Sequence, residues 1–180
     1  MEQYAVFLRG INVGGNNPVK MAVLKNALMN KQFVNVKTYI NSGNLVFGYK
    51  GDRQKAKGTI AEMIRSLFSI TVDMIIKTRE ETEQIIRNDP FDREKENDNA
   101  KKVIILLSDK LDQEKALLFK NDKNIEENYY CGDDLLYIYY HNGAGRSKFT
   151  TTYIERKLKL VTTGRNWNTL LKVNELLKEE

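Results

Sequence analysis

The chain has 180 residues, of which 41% are hydrophobic and 29% are charged, and its formal net charge is +5. This length suits one sizeable domain or two small ones. No apolar run approaches the roughly eighteen residues that a membrane-spanning helix needs, so the composition excludes that class of protein and predicts no membrane partner.

A single cysteine and the first residues of the chain bear on its location. Cys131 is the only cysteine, which excludes an intramolecular disulfide. Residues 1–10, MEQYAVFLRG, are typical of a strand and lack the basic start, apolar core and cleavage site of a secretory signal. Both observations predict a reducing, cytoplasmic setting.

Charge is distributed unevenly along the chain. Residues 1–79 carry a net charge of +8 and residues 143–172 carry +6, whereas residues 80–142 carry −7. Basic segments favour anionic partners such as nucleic acid, nucleotides or phosphorylated metabolites. The alternative is that the acidic middle neutralises the basic parts within the fold.

Strand-like runs alternate with helical spacing through residues 1–79, the first predicted subdomain. The helix that follows Pro18 places Met21, Leu24 and Leu28 on one face. In chain order the predicted elements are a strand at 3–11, this helix, strands at 36–40 and 45–49, a helix at 53–69 and a strand at 72–77. This β-α-β-β-α-β order is the split pattern of ferredoxin-like folds.

Residues 80–100 are predicted to form a short helix and a charged connector. The connector, NDPFDREKENDN, contains Pro90, dense charge and few apolar residues, which is typical of a linker.

Residues 101–180 repeat the pattern and form the second predicted subdomain. Thr152 and Glu155 have the spacing of a capping box, and Trp167 begins the apolar face of a last helix. No final strand is evident before this extra helix. The predicted elements are a strand at 102–108, a helix at 111–120, strands at 128–131 and 135–140, a helix at 152–160 and the last helix. The predicted fold class is therefore α+β, with two tandem ferredoxin-like (split β-α-β) subdomains and an extra C-terminal helix.

Topology gives the glycine-rich segment after the first strand a predicted neighbour. In a split β-α-β sheet the first and third strands are adjacent and antiparallel, so the end of one meets the start of the other. Residues 9–12 are therefore expected beside residues 41–44, which join the second and third strands. Two loops rich in glycine and asparagine would then share one edge of the sheet.

Each of these two loops has a binding interpretation and a structural one. Gly10, Gly14 and Gly15 precede a helix and are compatible with an anion nest of backbone N–H groups, or they serve only to permit positive φ. The segment Asn41–Asn44 is a hairpin turn by composition. Its expected proximity to Arg9 favours binding.

Two further loops in the second half offer basic and amide side chains. Arg146 and Lys148 flank Ser147 before a helix, where they would grip an anion or would simply be solvated surface charges. Residues 162–169 contain Arg165 and, two positions later, a tryptophan that is predicted to anchor the core. The binding candidates of that segment are Arg165, Asn166 and Asn168.

Signatures of common enzyme chemistry are absent from the sequence. The glycine spacing fits neither a dinucleotide fingerprint nor a P-loop, and no zinc or serine-hydrolase motif occurs. His141 lacks a recognisable catalytic partner, and Cys131 is predicted to be a packed thiol. Stacking of RNA bases on the first and third strands is a minority hypothesis, because residues 45–49 lack the expected basic-Gly-aromatic opening.

Four motifs, LRGINVGG, YINSGNLVF, GRSKF and TTGRNWNTLLK, together resemble a family of small, mostly bacterial proteins known as domain of unknown function 1697. The resemblance runs from about Tyr4 to Leu177. It implies two tandem ferredoxin-like subdomains and no established activity. The motif positions that it carries over are Arg9, Gly10, Asn12, Gly14, Ser42, Gly43, Asn44, Arg146, Ser147, Arg165, Asn166 and Trp167.

The first functional hypothesis is a binding protein for an anionic ligand, with charge from basic side chains and hydrogen bonds from asparagine and serine. The predicted ligand-binding residues are Arg9, Asn12, Gly14, Asn41, Ser42, Asn44, Arg146, Ser147, Lys148, Arg165, Asn166 and Asn168. No cofactor and no metal ligand are predicted. The alternatives are an enzyme acting on a small anionic substrate by electrostatic stabilisation, and a protein-interaction module with a large apolar patch.

Overall fold

The computed structural model describes residues 1–91, 98–120 and 122–179, which form an α+β structure with two four-stranded antiparallel sheets and six α-helices. The chain divides into two compact units. The first comprises Met1–Arg87 and Leu171–Glu180, and the second comprises Asn88–Leu170. Residues 92–97 of the predicted charged connector lie outside the described residues.

The first unit contains a sheet with the strand order β2-β3-β1-β4. Strand β1 pairs antiparallel with both β3 and β4, so that Phe7 lies opposite Asn44 on one side and Ile75 on the other. The elements are β1 (Glu2–Leu8), α1 (Met21–Met29), β2 (Phe33–Tyr39), β3 (Asn44–Tyr49), α2 (Arg53–Phe68), β4 (Met74–Thr78) and α3 (Arg79–Arg87).

Helical and strand periodicity explain the core of the first unit. Leu24 and Leu28 of α1 and Ile60 and Ile64 of α2 recur at helical spacing and are fully buried. They join one hydrophobic cluster with alternate residues of β1 and β3, including Phe47. Burying such side chains contributes about 1.5–3 kcal/mol each to folding.

The second unit has the corresponding strand order β6-β7-β5-β8. Its core joins sheet residues such as Ile105 and Ile138 to Phe149 and to Ile154 of the following helix. A 3₁₀ turn, Ala144–Arg146, lies between β7 and α5. The elements are β5 (Lys102–Leu107), α4 (Gln113–Leu117), β6 (Asn128–Cys131), β7 (Leu135–Tyr139), α5 (Thr151–Leu158), β8 (Thr162–Asn166) and α6 (Trp167–Lys178).

Strand β8 was not predicted from the sequence. Its five residues, TTGRN, carry no apolar run, but they pair with β5 from Leu107↔Thr162 to Val103↔Asn166. Thr162 and Thr163 are buried in this ladder. The strand therefore forms through backbone pairing with the apolar strand β5, and not through a hydrophobic pattern in its own sequence.

Two predicted helix starts are wrong. Helix α5 begins after Thr150, whose side chain accepts a hydrogen bond from the Tyr153 amide, so the Thr152–Glu155 capping box does not form. Helix α1 begins at Met21, three residues beyond Pro18. Among the described residues, no helix has the length and apolarity that crossing a bilayer requires.

Candidate functional site

The two glycine/asparagine loops of the first unit meet at one end of its sheet. The Leu8 amide donates to the Gly43 carbonyl over 2.8 Å, and the Asn12 side-chain amide donates to the Asn41 carbonyl over 2.7 Å. The predicted proximity of these loops is therefore observed. It follows from the antiparallel pairing of β1 with β3.

Gly43 permits this close approach. Its φ is +85°, and a Cβ atom at this position would lie 2.7 Å from Leu8 Cβ and 2.8 Å from Ile11 Cδ1. The end of β1 can pack against the hairpin only if this residue has no side chain.

The loop between β1 and α1 is built from residues with left-handed backbone. Within it the Asn12 amide donates to the Asn17 carbonyl over 3.2 Å, and the Asn17 side chain donates to the Gly10 carbonyl over 3.1 Å. The residues with positive φ are Gly10, Asn12, Gly14, Gly15 and Asn17. Left-handed residues next to right-handed ones form the concave backbone arrangement of anion nests.

The Asn12 side chain ties this loop to both of its neighbours. Its Nδ2 donates to the carbonyls of Val19, over 2.9 Å, and of Asn41, and its Oδ1 accepts from the Val19 amide over 2.8 Å. These bonds use both hydrogens of the side-chain amide. Asn12 therefore shapes the loop, and its amide nitrogen has no further hydrogen to donate to a ligand.

A surface cleft lies between the loop, the hairpin and the start of α1. Its volume is about 430 Å³. Lys20, which is exposed, is its one charged lining residue. The lining residues are Asn12, Gly15, Asn16, Pro18, Val19, Lys20 and Asn41.

The start of α1 carries no anionic group of its own. Lys20 is the N-cap and makes no side-chain capping bond, and the first turn has no acidic residue. By contrast, Asp52 caps α2 and Asp112 caps α4 through side-chain oxygens. The positive end of the α1 dipole and the Lys20 ammonium thus lie together at the cleft.

Other predicted residues of the first unit, Arg9 and Asn44 among them, do not line this cleft. Asn44 is only 1% exposed, and its Nδ2 donates to the Tyr39 carbonyl and to Ser42 Oγ. Arg9 is half-buried at the end of β1, where its amide donates to the Asp73 carbonyl over 2.8 Å.

In the second unit, Arg146, Ser147 and Lys148 line a separate cleft of about 280 Å³. Ser147 Oγ accepts from the Phe149 amide over 2.8 Å and so closes a turn. The same cleft is lined by Glu126 and Glu127, which sequence reasoning did not associate with this loop. Both signs of charge therefore surround the cleft.

The remaining predicted residues flank Trp167 on β8 and α6. Arg165 is 7% exposed, and its guanidinium donates to Thr163 Oγ1 and to the Gly164 carbonyl, each over 2.8 Å. Burial lowers the pKa of Arg165 to about 10. Trp167 is buried, as predicted, whereas Asn166 and Asn168 are exposed.

Sequence reasoning missed two features that carry charge. Lys20 is a candidate ligand contact, and its only sequence signal is its position before the apolar face of α1.

The second feature is Asp122, which accepts hydrogen bonds from the Tyr153 hydroxyl and from Lys157 Nζ, the latter over 3.2 Å. The i, i+4 spacing of Tyr153 and Lys157 is the signal for this cluster. The Tyr153 hydroxyl in particular holds the pKa of Asp122 well below its ordinary value.

Base stacking on the sheet of the first unit is not supported by the structure. Phe7 of β1 and Phe47 of β3 are both 0% exposed, and Tyr49 is buried as well. A base cannot stack on a ring that the protein already covers. The minority RNA hypothesis is wrong in that form. Within the described ranges, no group of three or more His, Cys, Asp or Glu side chains could hold a metal ion.

A family model described as "Protein of unknown function (DUF1697)" matches residues 1–137. The chain belongs to this family. The matched range includes both loops of the first unit and all residues that line its cleft. It ends before the GRSKF and TTGRNWNTLLK motifs.

A solved structure with a similar fold is a conserved bacterial protein from Streptococcus pneumoniae. It is 25% identical to this DUF1697 protein and aligns with a TM-score of 0.77, covering 98% of this chain and 99% of the other. Among proteins with curated descriptions, none matches the chain.

Proposed function

We propose that this DUF1697 protein binds a small anionic ligand, a nucleotide or a phosphorylated metabolite, in the cleft of the first unit. One observation carries the proposal. The cleft brings together the exposed Lys20, a helix start without an anionic cap, and a glycine/asparagine loop. Helix N-termini and left-handed loops bind phosphate because their N–H groups and dipole favour negative charge.

The dimensions of the cleft favour a small ligand over a nucleic acid. Its volume of about 430 Å³ lies within the range of roughly 300–1,000 Å³ that is usual for small-molecule pockets. A nucleic acid would need several phosphate contacts and stacking surfaces. The cleft has one lysine in its lining, and the aromatic side chains of β1 and β3 are buried.

In this proposal Asn41, Asn16 and the loop backbone orient the ligand, and Lys20 supplies charge. Asn12 positions the loop through its three side-chain bonds. Gly14 provides positive φ in open surroundings, since a Cβ atom there would meet nothing within 4 Å.

The test is a calorimetric and thermal-shift titration of the full chain with pyrophosphate and with adenosine monophosphate. A ligand at about 100 times its Kd adds about 2.7 kcal/mol to the free energy of unfolding. Lys20→Gln is expected to weaken binding roughly tenfold, because a charge-assisted hydrogen bond is lost. Asn16→Asp, which places a carboxylate in the lining, is expected to weaken it at least as much.

Lys57→Gln is the matched control, since Lys57 is exposed on α2 and does not line the cleft. It is expected to leave affinity unchanged. Equal losses in Lys20→Gln and Lys57→Gln would show that net charge alone attracts the anion. A loss of roughly 1,000-fold between 50 and 200 mM salt, with oligonucleotides bound more tightly, would support nucleic acid instead.

The enzyme alternative lacks its expected acid or base at this cleft. A carboxyl group that acts as a general acid or base usually lies in a site where burial raises its pKa. Among the described residues, the carboxyl groups whose pKa clearly departs from its ordinary value all have a lowered pKa. For example, hydrogen bonds from Arg79 and Lys115 lower the pKa values of Glu83 and Asp112. Binding is therefore the better-supported proposal.

We also propose that the two units are tandem ferredoxin-like subdomains. Equivalent strand orders support this, as do equivalent bonds at the end of the first strand in each unit. In the first unit the Leu8 amide donates to the Gly43 carbonyl over 2.8 Å. At the corresponding position of the second unit, the Leu107 amide donates to the Asp134 carbonyl over 3.0 Å. We also propose a cytoplasmic location, because a chain whose single cysteine is Cys131 cannot form an intramolecular disulfide.

A further inference from the structure

The cleft of the second unit, of about 280 Å³, differs in chemistry from that of the first. Two chain segments line it: residues 142–148, called the basic wall, carry the cations Arg146 and Lys148, and residues 124–127, called the acidic wall, carry the carboxylates Glu126 and Glu127. The charges of these four side chains sum to zero. An anion alone would leave the two carboxylates of the lining without a partner.

Buried bonds fix the basic wall. Tyr140 and Phe149, at its two ends, are buried, and the Tyr140 hydroxyl donates to the Phe149 carbonyl over 2.7 Å. Between them the chain makes a 3₁₀ turn, in which the Arg146 amide donates to the Gly143 carbonyl over 3.1 Å. This exposed loop is thus anchored to the core at both ends.

The Asp122 cluster fixes the acidic wall. Asp122 Oδ1 accepts from the backbone and side-chain amides of Asn124 over 3.1 and 3.0 Å. Its Oδ2 accepts from the Tyr153 hydroxyl and from Lys157, which belong to α5. Asn124 also lines the cleft and lies two residues before Glu126. The cluster therefore holds this segment in place without using any of the four charges of the cleft.

In the part of the chain that the structure describes, those four charged side chains form no ion pair with one another or with other residues. Arg146, Lys148, Glu126 and Glu127 each line the cleft, and none of them takes part in an ion pair within 4.0 Å. Glu127 Oε2 accepts a hydrogen bond from the Glu126 amide over 3.2 Å, which leaves its other carboxylate oxygen for a ligand. Opposite charges at a preorganised cleft that do not neutralise one another can each meet a complementary group of a ligand.

We infer that this cleft binds a small zwitterion that carries an ammonium group and a carboxylate, as amino acids do. Arg146 receives the carboxylate, for which the planar guanidinium is suited, with Lys148 as a supporting charge. Glu126 and Glu127 accept hydrogen bonds from the ammonium group. The volume of the cleft, about 280 Å³, lies just below the usual range of roughly 300–1,000 Å³ and limits the ligand to this size. The inference is independent of the anion site proposed for the first unit.

The test is an NMR titration of the full chain with glycine, β-alanine, γ-aminobutyrate and 6-aminohexanoate, which differ in charge separation. Each is compared with the acid that lacks the amine and with the amine that lacks the acid, at equal ionic strength. One zwitterion is expected to shift the amides of residues 124–127 and 143–148 saturably, with at least tenfold tighter binding than its two single-charge analogues. Arg146→Gln and Glu127→Gln are each expected to weaken binding roughly tenfold, because each removes a charge-assisted hydrogen bond.

Lys110→Gln is the matched control, since Lys110 is exposed in the same unit and does not line this cleft. It should bind the zwitterion like the unaltered chain. Equal affinity for the acid that lacks the amine would overturn the inference, because the carboxylates would then have no role. The absence of saturable shifts for all four zwitterions, or retained affinity in both Arg146→Gln and Glu127→Gln, would also overturn it.

Discussion

Replacement of Gly43 tests how the first unit brings its two loops together. In Gly43→Ala, a residue at φ +85° would gain a Cβ atom 2.7 Å from Leu8 Cβ and 2.8 Å from Ile11 Cδ1. The left-handed backbone costs about 1–2 kcal/mol for a residue with a side chain. The overpacked core costs about 1–3 kcal/mol more. We therefore expect the free energy of unfolding of the first unit to fall by about 2–5 kcal/mol.

Gly14→Ala separates the cost of the left-handed backbone from the cost of overpacking the core. Its φ is +58°, but nothing lies within 4 Å of the added atom, so only the backbone cost applies. Both substitutions remove the same flexibility from the unfolded chain. Amide hydrogen exchange of β1 and β3 measures the local stability of this unit directly. Equal costs for the two variants would refute the packing role of Gly43.

Three further substitutions test a buried ion pair, the Asp122 cluster and the role of Asn12. Lys102→Met leaves the buried Asp89 carboxylate without its 2.7 Å ion pair. In urea titrations it should lower the free energy of unfolding by about 3–5 kcal/mol. The double variant Lys102→Met/Asp89→Leu should restore most of this loss, because it leaves no buried charge. Because the pKa of Asp122 is lowered from 3.8 chiefly by the Tyr153 hydroxyl, its stabilisation is present above pH 3.8 and lost as the pH falls below it. The melting temperatures of Asp122→Asn and the unaltered chain should therefore differ at pH 7 and converge in acid. Asn12→Ala should weaken pyrophosphate binding in calorimetry by loosening the loop, whereas unchanged affinity would contradict its positioning role.

The meeting of the two loops could be predicted because it depends only on strand order. A β-α-β-β-α-β pattern places the first and third strands side by side, and the Phe7↔Asn44 pair realises this arrangement. The composition of residues 41–44, which includes Gly43, also predicted a hairpin turn. Local sequence thus carried the architecture of this end of the sheet.

Features that depend on tertiary neighbours could not be predicted. Strand β8 has little hydrophobicity, and its pairing with β5 is visible only in the fold. Lys20 is one of 29 basic residues, and it becomes a candidate because α1 starts directly after it. Likewise, Glu126 and Arg146 are distant in sequence, and only the fold places them around one cleft.

The most direct test of the proposed anion site is an NMR titration of the isotopically labelled full chain with pyrophosphate. We expect saturable shifts concentrated in the amides of residues 10–20 and 41–44, and their loss in Lys20→Gln. Shifts spread over exposed lysines throughout the chain, or an unchanged titration in Lys20→Gln, would contradict it.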